Sequence, residues 1–352
     1  MTKPYDFTVF IGRFQPFHHG HLAVVREGLN QADKMIVLIG SAWEPRSPRN
    51  PWTHQEREEM LRRCLAPEEN ARLLCLPLMD VMYNDELWVR NVQSTVNGLV
   101  TAHHLSPHRP AKVALIGHKK DSTGFYLSLF PQWHSVSIDS VRDISATPLR
   151  EAFFTDEPRS VLDEQVQLGV LPPQVANYLA EFAQKASGYS QVHDEITFIK
   201  KYREAWKAAP YPPVFVTVDA VVIQSGHILL IERRASPGKG LWALPGGFVD
   251  QGERLLEACL RELREETRLK VPTPVLKGSI RQQGVYDAPY RSARGRTITH
   301  AFYIELAPDT ALPKVKGGDD ARAARWVPLS ELDPQVMFED HYFIIQHMLG
   351  TG

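Results

Sequence analysis

The chain has 352 residues, too long for one ordinary compact unit at roughly 100–200 residues per domain and suited to two. Hydrophobic residues make up 43% and charged residues 23%, which excludes a disordered chain and a membrane-embedded one. With 40 Lys and Arg against 41 Asp and Glu the formal charge is -1, so neither nucleic acid nor a membrane surface is expected as a partner, although local basic pockets remain compatible with it.

In chain order, Phe7 to Ile11 predicts a strand, His19 to Ala32 a helix, Lys34 to Ile39 a strand and Thr53 to Cys64 a helix. Arg72 to Leu76 and Lys112 to Ile116 continue the strands, with a helix from Asp85 to Thr101 between them. Val136 to Ile138 follows, then a helix from about Ser145 to Phe154. This alternation predicts an open, mostly parallel α/β sheet whose ligands lie at the carboxyl ends of its strands. A polar, small-residue stretch from Gln184 to Gln191 and a helical segment to Trp206 lead to Pro210-Tyr211-Pro212-Pro213, which a helix cannot cross. Strands then dominate: Phe215 to Ile223, Ile228 to Glu232, Lys277 to Gln283, Thr297 to Leu306 and Arg325 to Val327. Leu255 to Arg268 reads as the long internal helix. The expected division is residues 1–186 and 187–352.

Cys64, Cys75 and Cys259 are scattered and form no C-x-x-C pair, so neither a disulfide framework nor a thiolate zinc site is expected. Apolar runs such as Met35 to Ile39 fall far short of the roughly 20 residues of a spanning helix. The segment Met1-Thr2-Lys3-Pro4-Tyr5-Asp6 has no signal-peptide pattern, and the expected location is cytoplasmic.

The first strand runs into Gly12-Arg13-Phe14-Gln15-Pro16-Phe17-His18-His19-Gly20-His21, where a helix begins. His18 and His21, three apart, share a face of its first turn, and Gly20 lets a ligand approach the backbone. A helix N-terminus with two imidazoles suits phosphate oxygens. Far downstream, Ile144-Ser145-Ala146-Thr147-Pro148-Leu149-Arg150 places hydroxyls at another helix start with a guanidinium one turn on, a second set suited to a polyphosphate, although Ser145 alone reads equally as an N-cap.

Together these motifs resemble the H-x-G-H and I-S-x-T-x-x-R signatures of the nucleotidylyltransferase superfamily, and within it the nicotinamide mononucleotide (NMN) adenylyltransferases. The resemblance implies a Rossmann-like domain joining ATP to NMN. It places His18 and His21 around the transferred phosphorus, Arg13, Ser145, Thr147 and Arg150 on flanking phosphates, and Gly12, Phe14 and Gly20 in the substrate loop. Asn50-Pro51-Trp52-Thr53 with Glu56-Arg57, and Asn84-Asp85-Glu86-Leu87-Trp88-Val89, are similar to segments of the NMN-specific branch. By that similarity Trp88 stacks on the nicotinamide ring, Asn84 makes a polar contact to the acceptor and Arg57 holds its phosphate; the other reading of Trp88 is ordinary core.

The second half carries Gly247-Phe248-Val249-Asp250-Gln251-Gly252-Glu253 and then Arg261-Glu262-Leu263-Arg264-Glu265-Glu266-Thr267-Arg268-Leu269. At about 100° per residue, Glu262, Glu265 and Glu266 fall within roughly a third of the helix circumference, and clustered anions of this kind call for cations between them. Leu255, Leu256, Cys259, Leu260 and Leu263 form the neighbouring apolar stripe. The pattern resembles the Nudix box, with Arg268 where that family usually has Gly.

This resemblance implies a Nudix α/β/α domain with a mixed sheet. Glu262, Glu265 and Glu266 become the catalytic ligands of magnesium, or of manganese in its place; Gly247, Glu253 and Arg261 shape the loop, Glu253 pairing with Arg261. Asp319 and Asp320 are candidate general bases, though their Gly-rich turn also reads as a plain hairpin. Asp287-Ala288-Pro289-Tyr290-Arg291-Ser292-Ala293-Arg294-Gly295-Arg296 looks like the arginine segment of Nudix proteins that bind ADP-ribose, so Arg291, Arg294 and Arg296 are candidate substrate contacts; a solvated loop is the alternative. Both halves in this order resemble bifunctional NMN adenylyltransferase/Nudix hydrolases. The competing readings are a second half that senses ADP-ribose without hydrolysing it, or a transferase using FMN or phosphopantetheine. Homo-oligomerisation is left open.

Overall fold

The computed structural model describes residues 3–104, 109–118, 125–138 and 144–351. The chain forms two compact units: 3–81 with 85–193, and 82–84 with 194–351, where described. The expected boundary at residue 186 falls just before a helix, Ser187–Ala205. Among the described residues no helix is long and apolar enough to cross a membrane.

The first unit contains strands β1 (Tyr5–Gly12), β2 (Ala32–Ile39), β3 (Leu73–Pro77), β4 (Val113–His118) and β5 (His134–Ile138), all parallel, in the order β3-β2-β1-β4-β5. Phe7, Val9, Ile36 and Leu38 are buried, as expected of strands covered on both faces. The helices are α1 (His19–Gln31), α2 (His54–Arg62), α3 (Pro67–Asn70), α4 (Asp85–His103), α5 (Ala146–Phe153), α6 (Pro158–Gln167), α7 (Pro173–Lys185) and α8 (Ser187–Ala205), the last crossing into the second unit. Strand order reverses between β1 and β4, the switch point at which an open α/β sheet offers a crevice beyond its carboxyl ends. Gly12 ends β1 and His118 ends β4.

The second unit is a seven-stranded mixed sheet. Its main order is β10-β11-β6-β7-β12, from β6 (Phe215–Gln224), β7 (His227–Arg233), β10 (Ile280–Tyr286), β11 (Thr297–Glu305) and β12 (Ala321–Pro328). Short strands β8 (Trp242–Ala243) and β9 (Gly246–Phe248) pair with β7 and β6. Helix α9 (Leu255–Thr267) buries Cys259, Leu260 and Leu263 against Val218, Ala220 and Phe302. The expected strand from Lys277 is corrected: Thr273–Gly278 forms helix α10, started by prolines at its first turn, and β10 begins only at Ile280. A further helix, α11 (His341–Leu349), buries His341, Phe343, Ile344, Ile345 and Met348; it is apolar on most sides and so has little helical periodicity to read.

Candidate active sites

In the first unit the loop between β1 and α1 folds its two histidines together. Their rings stack at 3.6 Å with 21° between planes. A Cβ on Gly20 would lie 3.0 Å from Cε1 of His18, so glycine spares that ring a displacement of a few tenths of an ångström. The His18 backbone N–H donates to Nδ1 of His21 at 3.3 Å, the role an N3 Glu or Gln plays in a capping box. With Nδ1 accepting, the proton of neutral His21 resides on Nε2, making that atom a donor. Burial, then the neighbouring His18 and His118, hold its pKa well below 6.5, so the ring is uncharged at neutral pH. His118, which no sequence motif marks, reaches Gly20 O with Nε2 at 3.2 Å; its position at the end of the strand beside the switch point was the available signal.

The two distant motifs meet. Arg150 donates from Nη1 to Gln15 O at 2.8 Å and from Nη2 to Thr147 Oγ1 at 3.0 Å, tying α5 to the β1–α1 loop. Ser145 and Thr147 are exposed, and the Ser145 hydroxyl does not cap α5. Arg150 is pushed down to about 10 by burial, then by Arg13 and Arg49. Arg13 is lowered by burial and Arg49 in the same way, and its Nη1 is buried without a protein hydrogen-bond partner. Crowded, desolvated guanidiniums of this kind favour a bound anion.

Two expectations here, for Arg57 and Phe14, are corrected, while Trp88 keeps both of its readings. Arg57, expected on the acceptor phosphate, is only 1% exposed and directs its guanidinium at main-chain carbonyls: Nε to Thr53 at 3.2 Å, Nη1 to Arg13 at 2.6 Å and Gly40 at 2.7 Å, Nη2 to Ser41 at 3.1 Å. The Thr53–Glu56 capping box fixes the start of α2 and aims Arg57 inward. Phe14, placed in the substrate loop, is a buried ring packed edge-on against His21 at 5.0 Å, so its side chain supports the histidine from behind. Trp88, in the first turns of α4, packs with the core around Phe130 at 6.1 Å while remaining half-buried, and Asn84 immediately precedes that helix. Unmarked by sequence reasoning, Glu44 is pushed up to about 7 by burial and Asp80, and accepts a hydrogen bond from Asn50.

In the second unit a cavity of about 340 Å³ is lined by Glu262, Glu265, Glu266, Asp319 and Asp320 together with Arg291 and Arg294. Arg261 pairs with Glu253 (Nε to Oε2 3.0 Å), while Asp250 N–H also donates to Glu253 at 2.9 Å, which pins the loop before α9. A Cβ on Gly247 would lie 2.5 Å from Oε1 of Glu262, so glycine admits that carboxylate against β9. Glu266 accepts from Gly246 N–H at 2.9 Å and is pushed up to about 8, chiefly by burial and then by Glu262. Burial also raises Glu262, with Glu265 and Asp319 adding to it.

The three box glutamates do not converge on a single point as expected. Arg261 Nη1 stands between Glu262 at 2.8 Å and Glu265 at 3.0 Å, and among the described residues no group of three or more metal-ligand side chains is gathered. The donor set nevertheless fits a hard divalent cation, because desolvated carboxylates that raise one another's pKa are what such an ion neutralises. Arg268, at the usual glycine position, takes the left-handed conformation (φ 55°, ψ 22°) at the end of α9 and still donates N–H to Arg264 O.

The three candidate arginines separate. Arg291 forms a buried, two-pronged ion pair with Asp340, both bonds 2.8 Å. Arg294 lies over the Phe248 ring at 5.1 Å. Arg296 is not among the residues lining the cavity and turns to Asp287. Sequence reasoning missed His341, whose Nδ1 accepts from Leu244 N–H at 2.9 Å and which burial pushes down to about 3, as well as Asp219 and Glu339, whose carboxyls burial raises. No motif surrounds these residues.

One site thus gathers donors for phosphate oxygens at a switch point, and the other gathers carboxylates behind a glycine-lined turn: the fold and sites define a two-domain nucleotide-handling protein. A cytidylyltransferase-like family model matches residues 9–110 and a NUDIX domain model residues 213–348. A nicotinamide/nicotinic acid mononucleotide adenylyltransferase of Acinetobacter baylyi is 40% identical over 151 residues, 43% of this chain and 76% of the relative. An ADP-ribose pyrophosphatase of Methanocaldococcus jannaschii is 37% identical over 150 residues, 43% of this chain and 82% of the relative. A crystal structure of a bifunctional NMN adenylyltransferase/ADP ribose pyrophosphatase from Francisella tularensis, complexed with AMP and a manganese ion, is similar over 98% of this chain and 99% of that one, at 32% identity and a TM-score of 0.86. The chain belongs to the family of bifunctional NMN adenylyltransferase/ADP-ribose pyrophosphatases.

Proposed function

We propose that the first unit transfers AMP from ATP to NMN, giving NAD and diphosphate, and that the second hydrolyses ADP-ribose to AMP and ribose 5-phosphate. The observation that carries this reading is one chain holding two differently charged phosphate sites, similar along nearly its whole length to a protein with both activities.

In the first site the NMN 5′-phosphate oxygen attacks the α-phosphorus of ATP, the bond to the β-phosphate oxygen breaks, and diphosphate leaves. No covalent enzyme intermediate is needed, so alignment and charge stabilisation suffice. Neutral His21 donates from Nε2 to the transferred phosphoryl group, with His18 stacked beside it; Arg13 and Arg150 hold the flanking phosphates, and the exposed Ser145 and Thr147 hydroxyls offer further donors. Half-buried Trp88 and Asn84 remain the proposed contacts to the nicotinamide end.

In the second site Glu262, Glu265 and Glu266 would hold a divalent cation, magnesium or manganese, whose chemistry there would be to neutralise the diphosphate and to activate a water. Arg261 bridges Glu262 and Glu265 and pairs with Glu253, so it holds these carboxylates and the loop before α9 in one cluster. Asp319, whose charge is felt at Glu262, or its neighbour Asp320 would take a proton from the water whose oxygen bonds to one phosphorus of the diphosphate while the bridging oxygen leaves with the other, giving AMP and ribose 5-phosphate. Arg294 faces the diphosphate.

Product analysis of the purified chain tests both halves. ATP with NMN should yield NAD in preference to the products of FMN or phosphopantetheine, and ADP-ribose should yield AMP. NMN ranking last among acceptors, or AMP release unaffected by Glu262→Gln and Glu266→Gln, would defeat the corresponding half.

A further inference from the structure

The hydrolase cavity has an aromatic part that the Nudix box does not supply. Phe198 and Tyr202, on α8, line it together with Phe248 of β9. Phe198 and Tyr202 are four residues apart on one helix face, with ring planes 28° apart and centroids at 6.3 Å. One turn on, Trp206 packs edge-on against Phe215 of β6 at 5.2 Å, and Tyr202 also reaches Phe215, at 6.0 Å. Packing on the sheet therefore accounts for the lower part of this stripe. Phe198 extends beyond it and stays 37% exposed, as Phe248 stays 39% exposed.

Large rings left partly open in a cavity rich in carboxylates and guanidiniums suit a flat ligand group that offers a ring face. The two parts of the cavity abut: Phe248 directly follows Gly247, against which the Glu262 carboxylate lies. Arg294, over the Phe248 ring, places a cation at the junction. A molecule bearing a diphosphate and an aromatic ring can meet both regions at once. A terminal sugar would instead seek several donors and acceptors for its hydroxyls, whereas this stripe presents mainly ring faces.

We propose that Phe198 and Tyr202 form the platform on which the adenine ring of ADP-ribose stacks, so that the helix leading into the second unit supplies the base subsite of the hydrolase. This rests on ADP-ribose being the substrate. Adenine recognition then comes from a segment lying before the residues of the Nudix model, and the terminal ribose 5-phosphate occupies the part of the cavity away from α8.

The test uses the full-length chain as wild type, Phe198→Ala and Phe198→Trp, with AMP and ribose 5-phosphate as product inhibitors of ADP-ribose hydrolysis. Loss of one stacking face should raise KM for ADP-ribose roughly tenfold with kcat nearly unchanged. AMP inhibition should weaken by a similar factor, inhibition by ribose 5-phosphate should hold, and Phe198→Trp should restore both constants. Unchanged KM and AMP inhibition would overturn the assignment, as would equal weakening of both inhibitors, which marks general damage to the cavity. If the wild type fails to hydrolyse ADP-ribose, the substrate reading fails by itself; calorimetric titration with AMP then tests the subsite directly. Selective weakening of one AMP site in Phe198→Ala supports it, and unaltered titrations reject it.

Discussion

The two sites face the same substrate chemistry with opposite charge. In the first unit, guanidiniums crowd a desolvated crevice, and burial lowers Arg13 and brings Arg150 down to about 10. In the second, carboxylates crowd a desolvated cavity, and burial raises Glu262 and brings Glu266 up to about 8. Each accumulates like charge at a cost in the empty state that a bound opposite charge offsets: directly by the polyphosphate in one, and by a cation interposed before the diphosphate in the other. Perturbation alone does not mark binding, because burial brings Arg57 down to about 10 as well; what sets Arg57 apart is that four main-chain carbonyls take up its guanidinium.

If the sites work independently, their variants should separate the activities. Glu262→Gln and Glu266→Gln should each lower hydrolase kcat on the order of 10³-fold while leaving NAD synthesis intact, because they remove charge that holds the cation. His21→Ala should lower transferase kcat on the order of 10²-fold with hydrolysis unchanged, since it removes one donor to the transferred phosphoryl group. Parallel rate measurements on each variant decide the matter, and loss of both activities from one substitution would break the separation. Because His21 is already neutral, transferase kcat should show no step from this ring between pH 6 and 8; a rise in activity with its protonation there would contradict the Nε2–H donor.

The charge contrast also predicts opposite linkage to pH. A glutamate in an unfolded chain titrates near 4.5, whereas buried Glu266 holds its proton to about 8. Its contribution to stability is therefore full below about 4.5, falls as the pH rises, and is gone above about 8. A divalent ion that binds the ionised form should raise the melting temperature more at pH 8.5 than at pH 5.5. Glu266→Gln should flatten that difference, and a metal-induced shift independent of pH would refute the assignment.

Much of this was legible in sequence where a motif is local. The loop Gly12–His21 and the helix Leu255–Thr267 each carry their geometry within one turn or one strand–helix junction, so spacing placed His18 beside His21, and the resemblance to the Nudix box placed Glu253 beside Arg261. Arg57 was misjudged, and the partner of Arg291 went unforeseen, because a guanidinium's partners are set by tertiary packing. Arg57 finds carbonyls on three separate segments, and Arg291 finds Asp340 49 residues away. His118, Glu44 and His341 lie outside any short motif, and only the sheet order or the packing of α11 brings them into place.

That distinction gives a further expectation. Arg291→Met should leave Asp340 buried without its guanidinium and destabilise the second unit by about 3–5 kcal/mol, read as a fall in denaturation midpoint. Arg57→Met should strip charged donors from four carbonyls and cost the first unit about 3 kcal/mol. An Arg57→Met protein with unaltered stability and a raised KM for NMN would return that residue to the acceptor phosphate.

The smallest effect concerns Arg268, where the chain departs from the usual Nudix glycine. A left-handed backbone costs a non-glycine residue about 1–2 kcal/mol, which glycine avoids while adding about 0.5–1 kcal/mol of unfolded-chain entropy. The side chain passes close over Gly318, where a Cβ would lie 2.5 Å from its Nε, so Arg268 also fills space against the turn that carries Asp319. Relief of strain and loss of that packing nearly cancel. Arg268→Gly should therefore change stability by less than about 1 kcal/mol and leave hydrolase kcat within about twofold. A large fall in kcat at unchanged stability would show instead that the arginine holds the Gly318–Asp319 turn in its working position, and would move Arg268 from the helix end into the machinery of the acidic site.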